Sequence, residues 1–450
     1  MSAAQQAVLH LDCGGVLLKP VRRALFANVC DHAARMDETS RAIPPLLRED
    51  EFITAGKSLR FSETSASASL DALRGIAALL VLLDHWRNAL FVDFQQIHDH
   101  RMLLAPIYLL CAVGHQAVVI FFVLSGFLIS GSIIRAFKSG LWHWPRYLTQ
   151  RLVRLWIVLL PALVLGALWD NLGIYLHHAP KLYSGISANH MSVNVQSRLS
   201  IADLIGNAAF LQSIVVPEFG SNGALWSLAN EFWYYMLFPL AACILGRVYQ
   251  NPVKVVACAI FLCLIGILIT QQIWLLFPVW LLGASLHWVP RRPTTLWARV
   301  LACVAYAAIF FGDTVLDHRG WSGTGPLGDL MLGIATVGLV WVLLGAMNEA
   351  KPSRARGVAR TTAKFSYTLY VANTPLLTLL VSIAVGDTRW VPAARSGCLA
   401  FGILVIVIAY AWVLAVATEF NTEKVRARVE GYLLGSPKAV NHRPASSTSL

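Results

Sequence analysis

Charge is what this 450-residue chain has least of: Lys, Arg, Asp and Glu make up 13% of it, roughly half the share of a soluble domain. With 57% hydrophobic residues and a mean hydropathy of +0.60, the balance excludes an ordinary soluble domain. None of its eight cysteines forms a CxxC pair, which removes the usual thiol-redox and zinc-ribbon frameworks, and no metal is expected. Most of them lie in apolar runs and read as small buried hydrophobes. The start of the chain lacks the basic, apolar and small-residue succession of a cleaved signal, so residues 1–68 are expected to stay on the side of synthesis. No internal repeat is visible, which weighs against a secondary transporter.

What is there is a series of apolar runs, each long enough to cross a hydrocarbon core of about 30 Å as a helix. They give about ten candidate spans, at 69–91, 106–134, 152–172, 225–246, 253–271, 272–289, 296–312, 327–347, 365–386 and 396–418. The expected fold class is an all-α polytopic transmembrane helical bundle. The net charge of +12 is spread over short connections rather than gathered on one face, so no nucleic-acid partner is expected. Arg135, Lys138, Arg146, Arg151 and Arg154 follow the second span, Arg247 and Lys254 the fourth, Arg291, Arg292 and Arg299 the sixth, and Lys351, Arg354, Arg356, Arg360 and Lys364 the eighth. Alternate connections are poorer in basic residues, which places both termini in the cytoplasm. The chain then divides into an N-terminal extension at 1–68, with a short amphipathic helix from Pro20 to Arg35 or disorder, a membrane domain at 69–418 and a C-terminal tail at 419–450.

Ionisable residues inside spans are costly, and they mark pathways or reaction sites unless they snorkel or serve structure. Arg74 and His85 in LDALRGIAALLVLLDHW are eleven positions apart, nearly three helical turns, so they share one face about 16 Å apart along the axis. Asp71 can hold Arg74, while Asp84 points elsewhere on the wheel. In AVVIFFVLSGFLISG, Ser125 and Gly126 fall at a depth comparable with Arg74, where small residues also serve helix packing. Arg151 and Arg154 read either as topology determinants or as anion ligands that, beside Arg74, make a cationic mouth suited to phosphate. In NGALWSLANEFWYYMLFPL, Glu231 is expected about 9 Å inward, level with His85, which it would orient. Trp226, Trp233, Tyr234 and Tyr235 read as an interfacial belt or a sugar platform.

DALRGIAALLVLLDH, FFVLSGFLIS, RLVRLWIVLLPA and WSLANEFWYY, in this order, resemble the membrane-bound acyltransferase-3 family, whose members mostly O-acetylate sugars or glycans. SYTLYVANTPLL, Ser366 to Leu377, extends the resemblance over about residues 69–418. The resemblance implies a cytoplasmic acyl-CoA donor, acetyl-CoA in the commonest case, a carbohydrate acceptor and a bacterial inner-membrane location. Arg74, Ser125, Arg151 and Arg154 would then serve the donor, with His85 as base, Glu231 orienting it and Arg74 shared between binding and catalysis. Two positions depart from the family pattern: Asn373 stands where a histidine is common, and Val119 where an acidic residue is common. A transporter with an Arg74/His85/Glu231 relay and a scaffold without catalysis are the competing readings. Acyl specificity, acceptor, oligomeric state and any covalent acyl-enzyme stay open, and Ser125 is on the wrong side for the simplest acyl-serine.

Overall fold

The structure, a computed structural model, describes residues 51–54, 57–60, 64–187, 189–246, 251–318, 325–346 and 354–434. The stretch Pro20 to Arg35 and the final SPKAVNHRPASSTSL lie outside the described residues, as do Arg247 and Lys351. The chain divides into two units, Met1–Phe61 and Ser62–Leu450. In the first, β1 (Glu51–Thr54) pairs antiparallel with β2 (Lys57–Arg60), Phe52 opposite Leu59. These strands fall outside the apolar region, in which the sequence leaves room only for helices.

The second unit is an all-α polytopic bundle. Its helices are α1 (Ser65–Leu90), α2 (Arg101–Leu110), α3 (Gly114–Lys138), α4 (Trp144–Leu176), α5 (Ile201–Ala208), α6 (Leu225–Leu245), α7 (Pro252–Leu268), α8 (Gln271–Ser285), α9 (Leu296–His318), α10 (Pro326–Leu344), α11 (Arg354–Ala384), α12 (Ala394–Ala417) and α13 (Thr422–Leu434). Eight helical stretches are long and apolar enough to cross a membrane. The two remaining expected spans, 253–271 and 272–289, correspond to α7 and α8, shorter at 17 and 15 residues and separated at Ile269 and Thr270.

Local chemistry sets the ends of these helices. Thr64 Oγ1 accepts the Ser67 N–H at 3.3 Å at the start of α1, and Arg87 lies in its last turn, where a cation complements the helix dipole. The expected single span 106–134 is broken between α2 and α3, because the Asp84 side chain accepts the Gly114 N–H and so starts a new helix there. A side chain at Gly114 would run into that carboxylate.

Small residues bring the central helices together. Gly126 of α3 faces the Trp280 carbonyl of α8, and Gly283 of α8 faces the Val123 carbonyl of α3, closer in both cases than any β-carbon could come. α11 runs through the middle, packed on α1, α4 and α12, and buries Ser366, Thr368, Asn373, Thr374, Thr378 and Ser382. Thr378, Ser366 and Ser382 donate to carbonyls of their own helix, which keeps their hydroxyls satisfied away from water.

The long connection 177–224 folds over one end of the bundle. Asn189 donates to the Ala89 carbonyl at 2.7 Å, and buried Asp170 accepts both the backbone N–H and the hydroxyl of Ser221 at 2.8 and 2.7 Å. Asn222 donates to the Val371 carbonyl at 2.7 Å, so α6 begins inside the protein, with Leu225 fully buried. At the opposite end the stretch expected as a tail opens with packed structure: buried Glu419 and α13 lie against α4 through Arg154, Gln150 and Arg146.

Candidate functional site

Two cavities occupy the polar interior. The first, about 310 Å³, opens near α13 and is lined by Arg74, Ser125, Arg151, Arg154, Glu231 and Tyr235 among others. All four residues expected to serve the donor therefore meet in one place. The second, about 210 Å³, lies under the 177–224 connection and is lined by Asp84, His85, His115, His190, Trp226 and Thr374 among others. Val118 and Tyr370 line both, so the partition between them is thin.

Glu231 belongs to the first cavity, which corrects the expectation that it orients His85. Its Oε1 accepts the Ser125 hydroxyl at 3.0 Å and, through a short bond, the Tyr235 hydroxyl. The expected depth counted 1.5 Å per residue from the outer membrane border, but the first turn of α6 is already inside the bundle. Glu231 is consequently level with Ser125 in the middle of α3. Trp280 completes the cluster by donating to Ser125 Oγ at 3.2 Å. Gly126 and Ser125 thus divide the two readings of the SG pair: the glycine packs helices and the serine faces a cavity.

The arginines of the first cavity differ in what they have left to bind. Arg154 donates to Glu419 at 2.9 Å, and Arg426 pairs with Glu423 and Glu430. Arg151 lies over the rings of Tyr147 and Tyr235, 5.5 and 5.9 Å from their centroids, and its buried Nε has no hydrogen-bond partner. Arg74 has Arg154, Asp71, Glu419 and Glu231 as charged neighbours. Among the described residues it makes no hydrogen bond. Four arginines against two glutamates leave this lining cationic, with Arg74 and Arg151 uncommitted.

His85 is held by the residue at which the sequence departs from the family pattern. Its Nδ1 lies 3.1 Å from Asn373 Oδ1. The Asn373 amide nitrogen donates to the carbonyls of Leu369 and Tyr370 at 2.7 and 2.9 Å, so both of its hydrogens are used and the oxygen must face the ring. Thr374 adds a donor to the same oxygen at 3.2 Å. In the neutral imidazole Nδ1 therefore carries the hydrogen, and the lone pair is on Nε2 in a ring that lines the second cavity.

Sequence reasoning missed His115, which precedes the quoted motif at the start of α3. It lies 2.6 Å from Asp329, stacks on Trp226 with centroids 6.3 Å apart, and lines the His85 cavity. The short polar run GHQ before the apolar stretch was the available signal. Glu419 was missed because it fell within the presumed tail. Val119 is buried among the apolar residues of α3. Among the described residues no group of three or more His, Cys, Asp and Glu is placed to hold a metal.

The fold defines an integral membrane protein built around two polar chambers. A family model described as an acyltransferase domain matches residues 67–418, and the chain belongs to this acyltransferase 3 family. No match was found among curated proteins or among solved structures.

Proposed function

We propose that the protein is an O-acyltransferase that takes an acyl group, acetyl in the simplest case, from acyl-CoA in the first cavity and passes it to a carbohydrate hydroxyl presented to His85. The observation that carries this reading is the fixed imidazole, with Nδ1–H committed to Asn373 and a lone pair at Nε2. The uncommitted guanidinium groups of Arg74 and Arg151 suit the phosphates of CoA. Nε2 takes the proton of the acceptor hydroxyl as its oxygen attacks the thioester carbonyl. A C–O bond forms, the C–S bond breaks, and the departing thiolate recovers the proton from the imidazolium. The thioester has to reach past Tyr370, whose hydroxyl is held by Ser227 at 2.5 Å and the Ala224 carbonyl at 3.2 Å. Ser125, Glu231 and Tyr235 shape the inner floor of the donor cavity. The basic connections support a cytoplasmic donor end and cytoplasmic termini, in a bacterial inner membrane.

The test is thiol release from acetyl-CoA by purified protein in the presence of glycosides. His85→Ala and His85→Gln are expected to lose about 10² to 10⁴ in rate, the usual contribution of a positioned base. Arg74→Ala is expected to raise the KM for acetyl-CoA about tenfold or more, the loss of a charge-assisted bond to phosphate. Full activity in either His85 variant removes the base, and solute movement without thiol release selects the transporter.

A further inference from the structure

The largest of the cavities described here is a third one, about 800 Å³, between α1, α2 and α9, at the end roofed by the 177–224 connection. Its volume falls in the range of roughly 300–1,000 Å³ typical of small-molecule sites. Asp84 and His190 line both this cavity and that of His85, so the two chambers adjoin. Its walls combine polar and aromatic groups, Arg87, Asn88, Asp93, Phe94, Arg101 and Tyr108, with an apolar side formed by Ala105, Leu109, Ala112 and Val315.

One wall group lacks the partner it needs. Arg87 is 7% exposed, its guanidinium lies 5.2 Å from the Tyr108 ring centroid and 3.6 Å from Asp93, and its buried Nε has no hydrogen-bond partner. A buried N–H left unpaired is costly, and a ligand oxygen in this cavity would relieve that cost. The lining's charges differ from those of the donor cavity. Two arginines, Arg87 and Arg101, and two carboxylates, Asp84 and Asp93, line this cavity, so its lining charges balance. The rings of Phe94 and Tyr108, 5.6 Å apart, both line the cavity, with Arg101 over Phe94 at 4.6 Å and Arg87 over Tyr108 at 5.2 Å.

We propose that this third cavity is the acceptor site and that it takes an uncharged polyol, a neutral glycoside, delivering one hydroxyl past Asp84 and His190 to His85. The inference rests on the acyl-transfer reading above and adds to it the place and charge class of the acceptor. Arg87 donates from Nε to a sugar oxygen, Phe94 and Tyr108 carry the ring, and Arg101 closes the open side.

The experiment measures transfer from acetyl-CoA to neutral methyl pyranosides and to methyl glucuronide, in wild type, Phe94→Ala and Arg101→Ala. The expected result is transfer to the neutral set, with glycoside KM raised about tenfold in each variant, as loss of one net contact predicts. The KM for acetyl-CoA is expected to hold. Unmoved glycoside KM in both variants, or preference for the glucuronide, overturns the proposal. A phospholipid retained by wild type and lost from Arg101→Ala in native mass spectrometry, with glycoside KM unmoved, overturns it in favour of a lipid occupant. Wild type that releases no CoA with any glycoside sinks the acyl-transfer reading instead. The cavity is then judged by equilibrium dialysis of tritiated methyl glycosides: binding weakened in both variants supports it, and no binding overturns it.

Discussion

An imidazole can act as a base through one nitrogen only when the other reliably keeps its hydrogen, and Asn373 secures that for His85. A histidine at 373 could donate or accept, whereas an amide anchored on the Leu369 and Tyr370 carbonyls can only accept. The departure from the family pattern therefore settles the ring's tautomer, as the proposed base requires. Asn373→Ala is expected to lower kcat about 10- to 100-fold, the usual cost of losing an orienting partner, without changing the KM for acetyl-CoA. ¹⁵N spectra of histidine-labelled protein should then show both His85 tautomers, against one in wild type. A single unchanged tautomer in Asn373→Ala would show that the amide does not set it. At this scale the sequence was informative wherever helical period alone decided the matter. Arg74, Ser125, Arg151 and Arg154 do share a cavity, whereas Arg74 and His85, expected on one lining of α1, line the first and the second cavity respectively. Glu231 was misplaced because its depth depends on where α6 starts, and that is set by Asn222 and Ser221 bonding to α11 and α4. No local pattern reports such contacts.

At the scale of elements, every expected span has a helix in the structure, because an apolar run in lipid has no other way to satisfy its backbone. What escaped was the polar segment after α12. Its attachment is by polar contacts to residues 265 and 280 positions earlier, and hydropathy is blind to these. Glu419 is the anchor: it accepts from Arg154 at 2.9 Å and from both the N–H and the hydroxyl of Thr368 at 3.0 and 2.8 Å. It thereby fixes α4 to α11 beside the first cavity, while Thr422, Glu423 and Arg426 supply part of that cavity's wall. Glu419→Ala removes the partner of Arg154 and of the Thr368 hydroxyl. Breaking a buried pair costs about 3–5 kcal/mol, and since Arg154 is 36% exposed the expected loss is nearer about 2–3 kcal/mol. Because the cost comes from stranded polar groups, Arg154→Leu combined with Glu419→Leu should recover part of it in thermal unfolding. A double variant no more stable than Glu419→Ala would mean the destabilisation comes from lost packing instead.

For the molecule as a whole, the polar cavities are set toward opposite ends of one bundle, and at each end segments distant in sequence are tied together. Glu419 and α13 do this beside the first cavity. At the other end the work falls to Asp93, in the connection between α1 and α2. It accepts from Arg389 at 3.0 and 2.7 Å and from His190 at 2.9 Å, which ties three connections into one roof. Hydrogen bonds from Arg389, with His190 adding to them, hold the Asp93 carboxyl down to about 2, against burial that would raise it. A carboxyl with a depressed pKa stabilises the fold at pH above its unfolded value of about 3.9, and that contribution fades as pH falls toward the folded value. Acidification from about pH 5 to pH 3 should therefore lower the melting temperature of wild type, and Asp93→Asn should flatten that part of the profile. At neutral pH the same variant is expected to lose about 1–2 kcal/mol, the lower range for charge-assisted bonds because Asp93 is 36% exposed. If Asp93→Asn melts with the wild-type acid slope, the roof is held by the Phe91–Trp390 pairing and its ring contact, not by this carboxylate.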